Sequence, residues 1–125
     1  MTVTSRSRLS EIAAYVVAAL VSLLAAGWAL QVWRADLSVP FVYGGDALFT
    51  GAFTKGLIEH GSAVANPSIG APGTGSLLDY PTVDAVHQFA LRVLGWLTGD
   101  VSAAINLYFL LGFALTAVVS VAVLR

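Results

Sequence analysis

The residues best suited to chemistry lie in the middle of the chain, where Tyr43-Gly44-Gly45-Asp46 places a carboxylate directly after two glycines. Because glycine has no Cβ, a ligand can approach the backbone closely beside this carboxylate. Such an aspartate can act as a general base towards a hydroxyl group or can bind a cation. An aspartate before a helix also commonly serves as its N-terminal cap, and the local sequence favours this simpler interpretation of Asp46.

A second group with chemical potential is Asp84 with His87, since residues three apart share one face of a helix. The pair could relay a proton or supply two ligands to a divalent metal, although the sequence shows no cofactor motif. A single aspartate–histidine pair is more often part of a solvated helix face, so we assign no metal site. The protein has no cysteines, which excludes thiol catalysis and zinc–thiolate sites.

The composition indicates that water is not the main solvent of this protein. Of its 125 residues, 58% are hydrophobic and only 10% are charged, whereas about a quarter of the residues in a soluble domain are charged. The net charge of −1 also argues against a nucleic-acid partner. The lipid bilayer is therefore the expected partner.

Two uncharged stretches predict transmembrane helices at residues 12–33 and 101–124. About 20 apolar residues span the hydrocarbon core, so both stretches are long enough to cross. A pair of buried helices in a soluble bundle is the main alternative, but the chain has too few polar residues to coat such a bundle. A signal peptide is a second alternative for the first stretch, which is however longer than usual and preceded by Glu11.

The basic residues predict the orientation of these spans in the cell membrane. Arg6 and Arg8 precede the first span, and Arg125 follows the second. Because basic residues near span ends stay in the cytoplasm, both termini, including residues 1–11, are expected there. The connecting segment 34–100 would then form a long extracytoplasmic loop of a multi-pass protein.

Two amphipathic helices are predicted within the loop, near residues 46–60 and 81–97, because apolar residues recur there at helical spacing. Gly61 is a natural stop for the first helix, and the Pro/Gly-rich segment 66–75 shows no helix or strand signal. Both helices are too short to span and could lie flat on the outer leaflet. The expected fold is an all-α membrane protein, with two transmembrane helices flanking a loop that carries two juxtamembrane helices.

One polar residue lies inside the second predicted span. Asn106 is surrounded in sequence by apolar residues. A side-chain amide in lipid requires a hydrogen-bonding partner, so Asn106 is expected to contact another helix.

The order of these elements resembles the N-terminal part of the membrane-embedded type C glycosyltransferases, which include the YfhO-like membrane proteins of bacteria. The shared order is a span, a glycine–aspartate start to an amphipathic helix, a Pro/Gly-rich loop, a second surface helix and a return span. The resemblance covers nearly the whole chain and is mostly architectural, with Gly44-Gly45-Asp46 as its local motif. It implies transfer of a sugar from a polyprenyl-phosphate carrier to an acceptor at the outer face of the membrane.

The resemblance also implies a role for Asp46, which corresponds to the acidic residue near the beginning of the family's first extracytoplasmic loop. This residue would activate the acceptor hydroxyl or assist a bound metal. The candidate substrate-binding residues are Tyr43, Gly44, Gly45, Asp84 and His87.

Two spans alone cannot enclose a lipid-linked sugar. We therefore expect further transmembrane helices, in cis or in trans, and no transferase activity from this chain in isolation. The alternative hypothesis is a small two-span scaffold or assembly subunit of a larger membrane complex, without catalysis.

Overall fold

Helices dominate the computed structural model, which describes residues 3–62, 65–67, 70, 72–73, 75–76 and 85–124. Four α-helices occur in these ranges: α1 (Val3–Ala29), α2 (Asp46–His60), α3 (Ala85–Thr98) and α4 (Val101–Val123). A short 3-10 helix (Val32–Arg34) follows α1, and two short strands, β1 (Ala65–Asn66) and β2 (Gly75–Ser76), lie between α2 and α3. The chain divides into two units, Met1–Asp36 with Phe109–Arg125, and Leu37–Tyr108.

Helices α1 and α4 are long and apolar enough to cross a membrane. The apolar part of α1 (Arg8–Ala29) has 22 residues with a hydropathy of 2.1, and α4 has 23 residues with a hydropathy of 2.0. Within an apolar 18-residue window of each helix, only 6% and 11% of the residues are buried. Core helices of soluble proteins are mostly buried, so the exposure of both helices argues against the soluble-bundle alternative.

The first helix has different ends from the predicted span 12–33. It begins at Val3 and ends at Ala29, after which Gln31 adopts a left-handed conformation with φ 51°. The chain then continues as the 3-10 helix, in which the Arg34 N–H donates to the Gln31 carbonyl at 2.8 Å. The uncharged stretch continues past Ala29 to Trp33, so the absence of charge could not show where the helix ends.

Helix α2 has the predicted bounds, but its N-terminal cap is a different residue. Gly61 terminates it in a left-handed conformation (φ 73°) and its N–H donates to the Leu57 carbonyl, as expected. The N-cap is Gly45, with φ 54°, and no side-chain capping hydrogen bond forms. The capping interpretation of Asp46 is therefore wrong. Asp46 is the first helical residue, where the positive end of the helix dipole favours its carboxylate.

A small antiparallel ladder adds strand structure to the expected all-α fold. Ala65 pairs with Ser76 and Asn66 pairs with Gly75, although segment 66–75 was expected to be irregular. The buried Asn66 side chain reaches α2 at Gly56, where an added Cβ would overlap the amide. Glycine at this position therefore lets the ladder pack closely against α2.

The second unit has a compact apolar core built from α2, α3 and the beginning of α4. Phe53, Leu57 and Leu91 are buried together, and Ile105 and Tyr108 pack against them. Helices α2 and α3 also come close at Gly95, where a Cβ would overlap the side chain of Ile58. The first two turns of α4 thus belong to the same packed body as the two loop helices.

In the first unit, α1 and α4 meet through a polar contact. The Ser22 hydroxyl donates to the Phe113 carbonyl at 3.0 Å. Ala26, one turn further along α1, is 6% exposed, which fits the close approach that small residues permit between membrane helices.

Candidate functional site

The start of α2 presents the candidate base to solvent. Asp46 and the two glycines before it are exposed, and Tyr43 is 78% exposed. The Ala47 and Leu48 N–H groups donate to the carbonyls of Gly44 and Gly45, both at 3.2 Å. These hydrogen bonds connect the glycine pair to the first turn of α2. The Asp46 carboxylate is therefore fixed at the start of the helix, and it is exposed to solvent.

Asn106 anchors the segment that leads to this carboxylate. Its Oδ1 accepts a hydrogen bond from the Phe41 N–H at 2.9 Å, and its Nδ2 donates to the carbonyls of Leu37 (2.9 Å) and Val39 (2.8 Å). The side chain is 1% exposed. Hydrogen bonds of a buried amide are costly to lose, because the freed groups cannot be solvated. One side chain therefore fixes the backbone from residue 37 to residue 41.

The expectation that Asn106 contacts another helix is wrong. Both of its amide donors are used by an irregular segment of the chain that lies more than 60 residues earlier. Phe41 is five residues before Asp46, so the anchor lies at most about 17 Å from the candidate base along an extended chain. The sequence singled out Asn106 as a lone amide in an apolar helix, but it did not indicate that this side chain anchors the segment before Asp46.

The second predicted group is only partly described. His87 is exposed near the beginning of α3, and its ring meets the edge of Tyr108 with a centroid distance of 5.8 Å. Asp84 lies outside the described residues, as do the other residues that would have extended α3 back to position 81. The structure therefore places Tyr43, the glycine pair and Asp46 together at the start of α2, whereas His87 lies on another helix.

A metal site is not formed by the described side chains. No group of three or more His, Cys, Asp or Glu residues that could hold an ion occurs in the ranges given above. Asp46 alone supplies one carboxylate, and a stable divalent-metal site needs several oxygen ligands. The chemistry that this arrangement can perform by itself is acceptance of a proton by Asp46.

Comparison with known proteins adds no assignment, since no family model, curated protein or solved structure matches this chain significantly. A functional proposal therefore rests on the placement of the chain's own residues. The two that matter most are the exposed Asp46 and the buried Asn106.

Proposed function

We propose that this protein is a two-span protein of the cell membrane and forms the amino-terminal module of a glycosyltransferase. Both termini lie in the cytoplasm, and residues 34–100 lie on the outer side. The two long apolar helices support the membrane assignment. The distribution of basic residues supports the orientation.

The observation that best supports an enzymatic role is that the Asp46 carboxylate is exposed while the backbone segment before it is held by hydrogen bonds. Catalytic groups act efficiently when they are held in place before the substrate binds. Asn106 holds the backbone segment that precedes Asp46, and Gly45 adopts a positive φ at the point where the chain enters α2. An aspartate that served only the helix would not need an anchored approach of this kind.

In the proposed reaction, the acceptor hydroxyl oxygen attacks the anomeric carbon of a sugar carried on polyprenyl phosphate. The bond between that carbon and the phosphate oxygen breaks, and the polyprenyl phosphate leaves with the electron pair. The Asp46 carboxylate takes the proton of the acceptor hydroxyl. Tyr43 and the two glycines border the acceptor's approach, and further transmembrane helices complete the cleft for the carrier.

Replacement of Asp46 by Asn tests this role. The Asp46→Asn variant keeps the shape of the side chain but cannot accept the proton, so transfer from a polyprenyl-phosphate sugar should fall about 100-fold or more. The assay uses the assembly that contains all the helices of the transferase. Glu59→Gln is the matched control, because Glu59 is another exposed carboxylate on α2 and should tolerate the change. Equal turnover in Asp46→Asn and wild type would remove Asp46 from catalysis.

A scaffold without catalysis is the second candidate function. It is favoured by the wide apolar surfaces of α1 and α4, which are mostly exposed and suited to contact with further membrane helices. A scaffold would hold its complex together equally well in wild type and in Asp46→Asn, and wild type would support no sugar transfer. The same pair of proteins therefore separates the two functions.

A further inference from the structure

Helix α3 is covered by α2 on one side and presents an apolar face on the other. The covered face contains the buried residues Leu91 and Gly95. The other face is strongly exposed, with Val86 at 75%, Phe89 at 71% and Trp96 at 82%. At about 100° per residue these three side chains lie within about 80° of one another, on the side of α3 opposite to the covered face.

One charged side chain of α3, Arg92, lies at an edge of the exposed face. Arg92 follows Phe89 by three residues and is itself exposed, with its guanidinium beside Gly61 at the end of α2. The sequence of α3 contains no aspartate or glutamate. An apolar face with an exposed tryptophan and a flanking arginine is the pattern of a helix that lies in a membrane interface.

The length of α4 places α3 at that interface. With 23 residues, α4 is about 34 Å long, only slightly more than the hydrocarbon thickness of about 30 Å. If α4 crosses the bilayer, its first residues must lie close to the hydrocarbon boundary. Thr98 ends α3 three residues before Val101, hence within about 11 Å of it. Leu91 packs in the cluster that also contacts Ile105 and Tyr108 of α4, so the middle of α3 lies at the same depth.

We propose that the exposed face of α3 (Val86, Phe89, Trp96) is embedded in the outer leaflet, at the boundary between headgroups and acyl chains. The Arg92 guanidinium then lies at the level of the lipid phosphates. Helix α2 packs on the opposite side of α3 through the cluster that both helices share, and its own exposed side carries the Lys55–Glu59 ion pair. Of the two loop helices, only α3 therefore presents an apolar face to the lipid in this arrangement, whereas the exposed side of α2 faces water. The proposal requires α4 to span the membrane but does not depend on sugar transfer.

Tryptophan fluorescence in liposomes tests whether the exposed face of α3 lies in lipid and the exposed side of α2 lies in water. The Trp28→Phe/Trp33→Phe variant retains Trp96 alone and is reconstituted into phosphatidylcholine–phosphatidylglycerol vesicles. Lipids brominated in the upper half of their acyl chains should remove most of the Trp96 emission, and aqueous iodide should have little effect. A matched variant on α2 carries Leu48→Trp with all three native tryptophans replaced by phenylalanine. Its emission should be quenched by iodide and not by the brominated lipids.

Two results of the quenching experiment, and a third in the fallback comparison below, would overturn the proposal. Quenching of Trp96 by iodide and not by lipid would place the face in water, and protection from both quenchers would show a protein partner on it. Circular dichroism checks that the variants keep their helices. If they do not, the native protein is compared with Trp96→Phe, and the difference in bromolipid quenching reports Trp96. Unchanged quenching in that comparison would also contradict the proposal. Sugar transfer is not measured in these experiments, so their failure leaves the proposed function to its own test.

Discussion

Helices α2 and α3 have similar lengths of 15 and 14 residues, but they differ in how their surfaces are used. In α2 the buried residues Phe53, Thr54, Gly56 and Leu57 form one continuous face, and the opposite side carries the ion pair between Lys55 and Glu59. In α3 one side is buried through Leu91 and Gly95, and an apolar face on the other side is exposed. Helical periodicity therefore predicts both helices, but it does not show which surface of each helix packs against protein and which surface remains exposed.

The largest expected effect comes from truncating one leucine on each face of α3. Leu91→Ala should destabilise the protein by about 2–5 kcal/mol, because Leu91 is 2% exposed and its loss leaves a cavity. Leu97→Ala removes the same atoms from a side chain that is 65% exposed, so the change should stay within about 0.5 kcal/mol. Denaturant titration in detergent micelles, followed by circular dichroism, measures both. Equal losses of stability in the two variants would show that both faces of α3 are packed to the same extent.

A smaller effect is expected from two glycines of α2. Gly56→Ala should destabilise by about 1–3 kcal/mol, because the added methyl group would overlap the buried Asn66 side chain. Gly51→Ala meets no atom within 4 Å and should stabilise the helix by about 0.5–1 kcal/mol. The same titration tests whether the two changes have opposite signs. Stabilisation by both would mean that Asn66 does not pack at Gly56.

Local signals in the sequence were sufficient to predict the main helices. The absence of charge located α1 and α4, and a chain break before Asp46 with Gly61 after His60 gave the bounds of α2. These features act within a few residues of the position that they determine, so they can be recognised without the tertiary structure.

Features that depend on distant contacts could not be predicted. The partners of Asn106 are backbone groups at residues 37, 39 and 41, which only the folded chain brings to α4. The β1–β2 ladder is too short to produce an alternating pattern. Asp46 was predicted as a site residue, but its anchor was not, because the sequence gives no sign of which segment a buried amide binds.

The most direct test of the two-span account is the sidedness of α2 in intact cells. The protein contains no cysteine, so a single introduced thiol reports one position. Ala52→Cys on the exposed side of α2 should react with a membrane-impermeant maleimide in intact cells, whereas Thr4→Cys, before the first span, should react only after permeabilisation. Labelling of Thr4→Cys but not of Ala52→Cys in intact cells would show that the topology is the inverse of the proposed one. Labelling of both positions without permeabilisation would contradict a protein that crosses the membrane twice with its N-terminus inside.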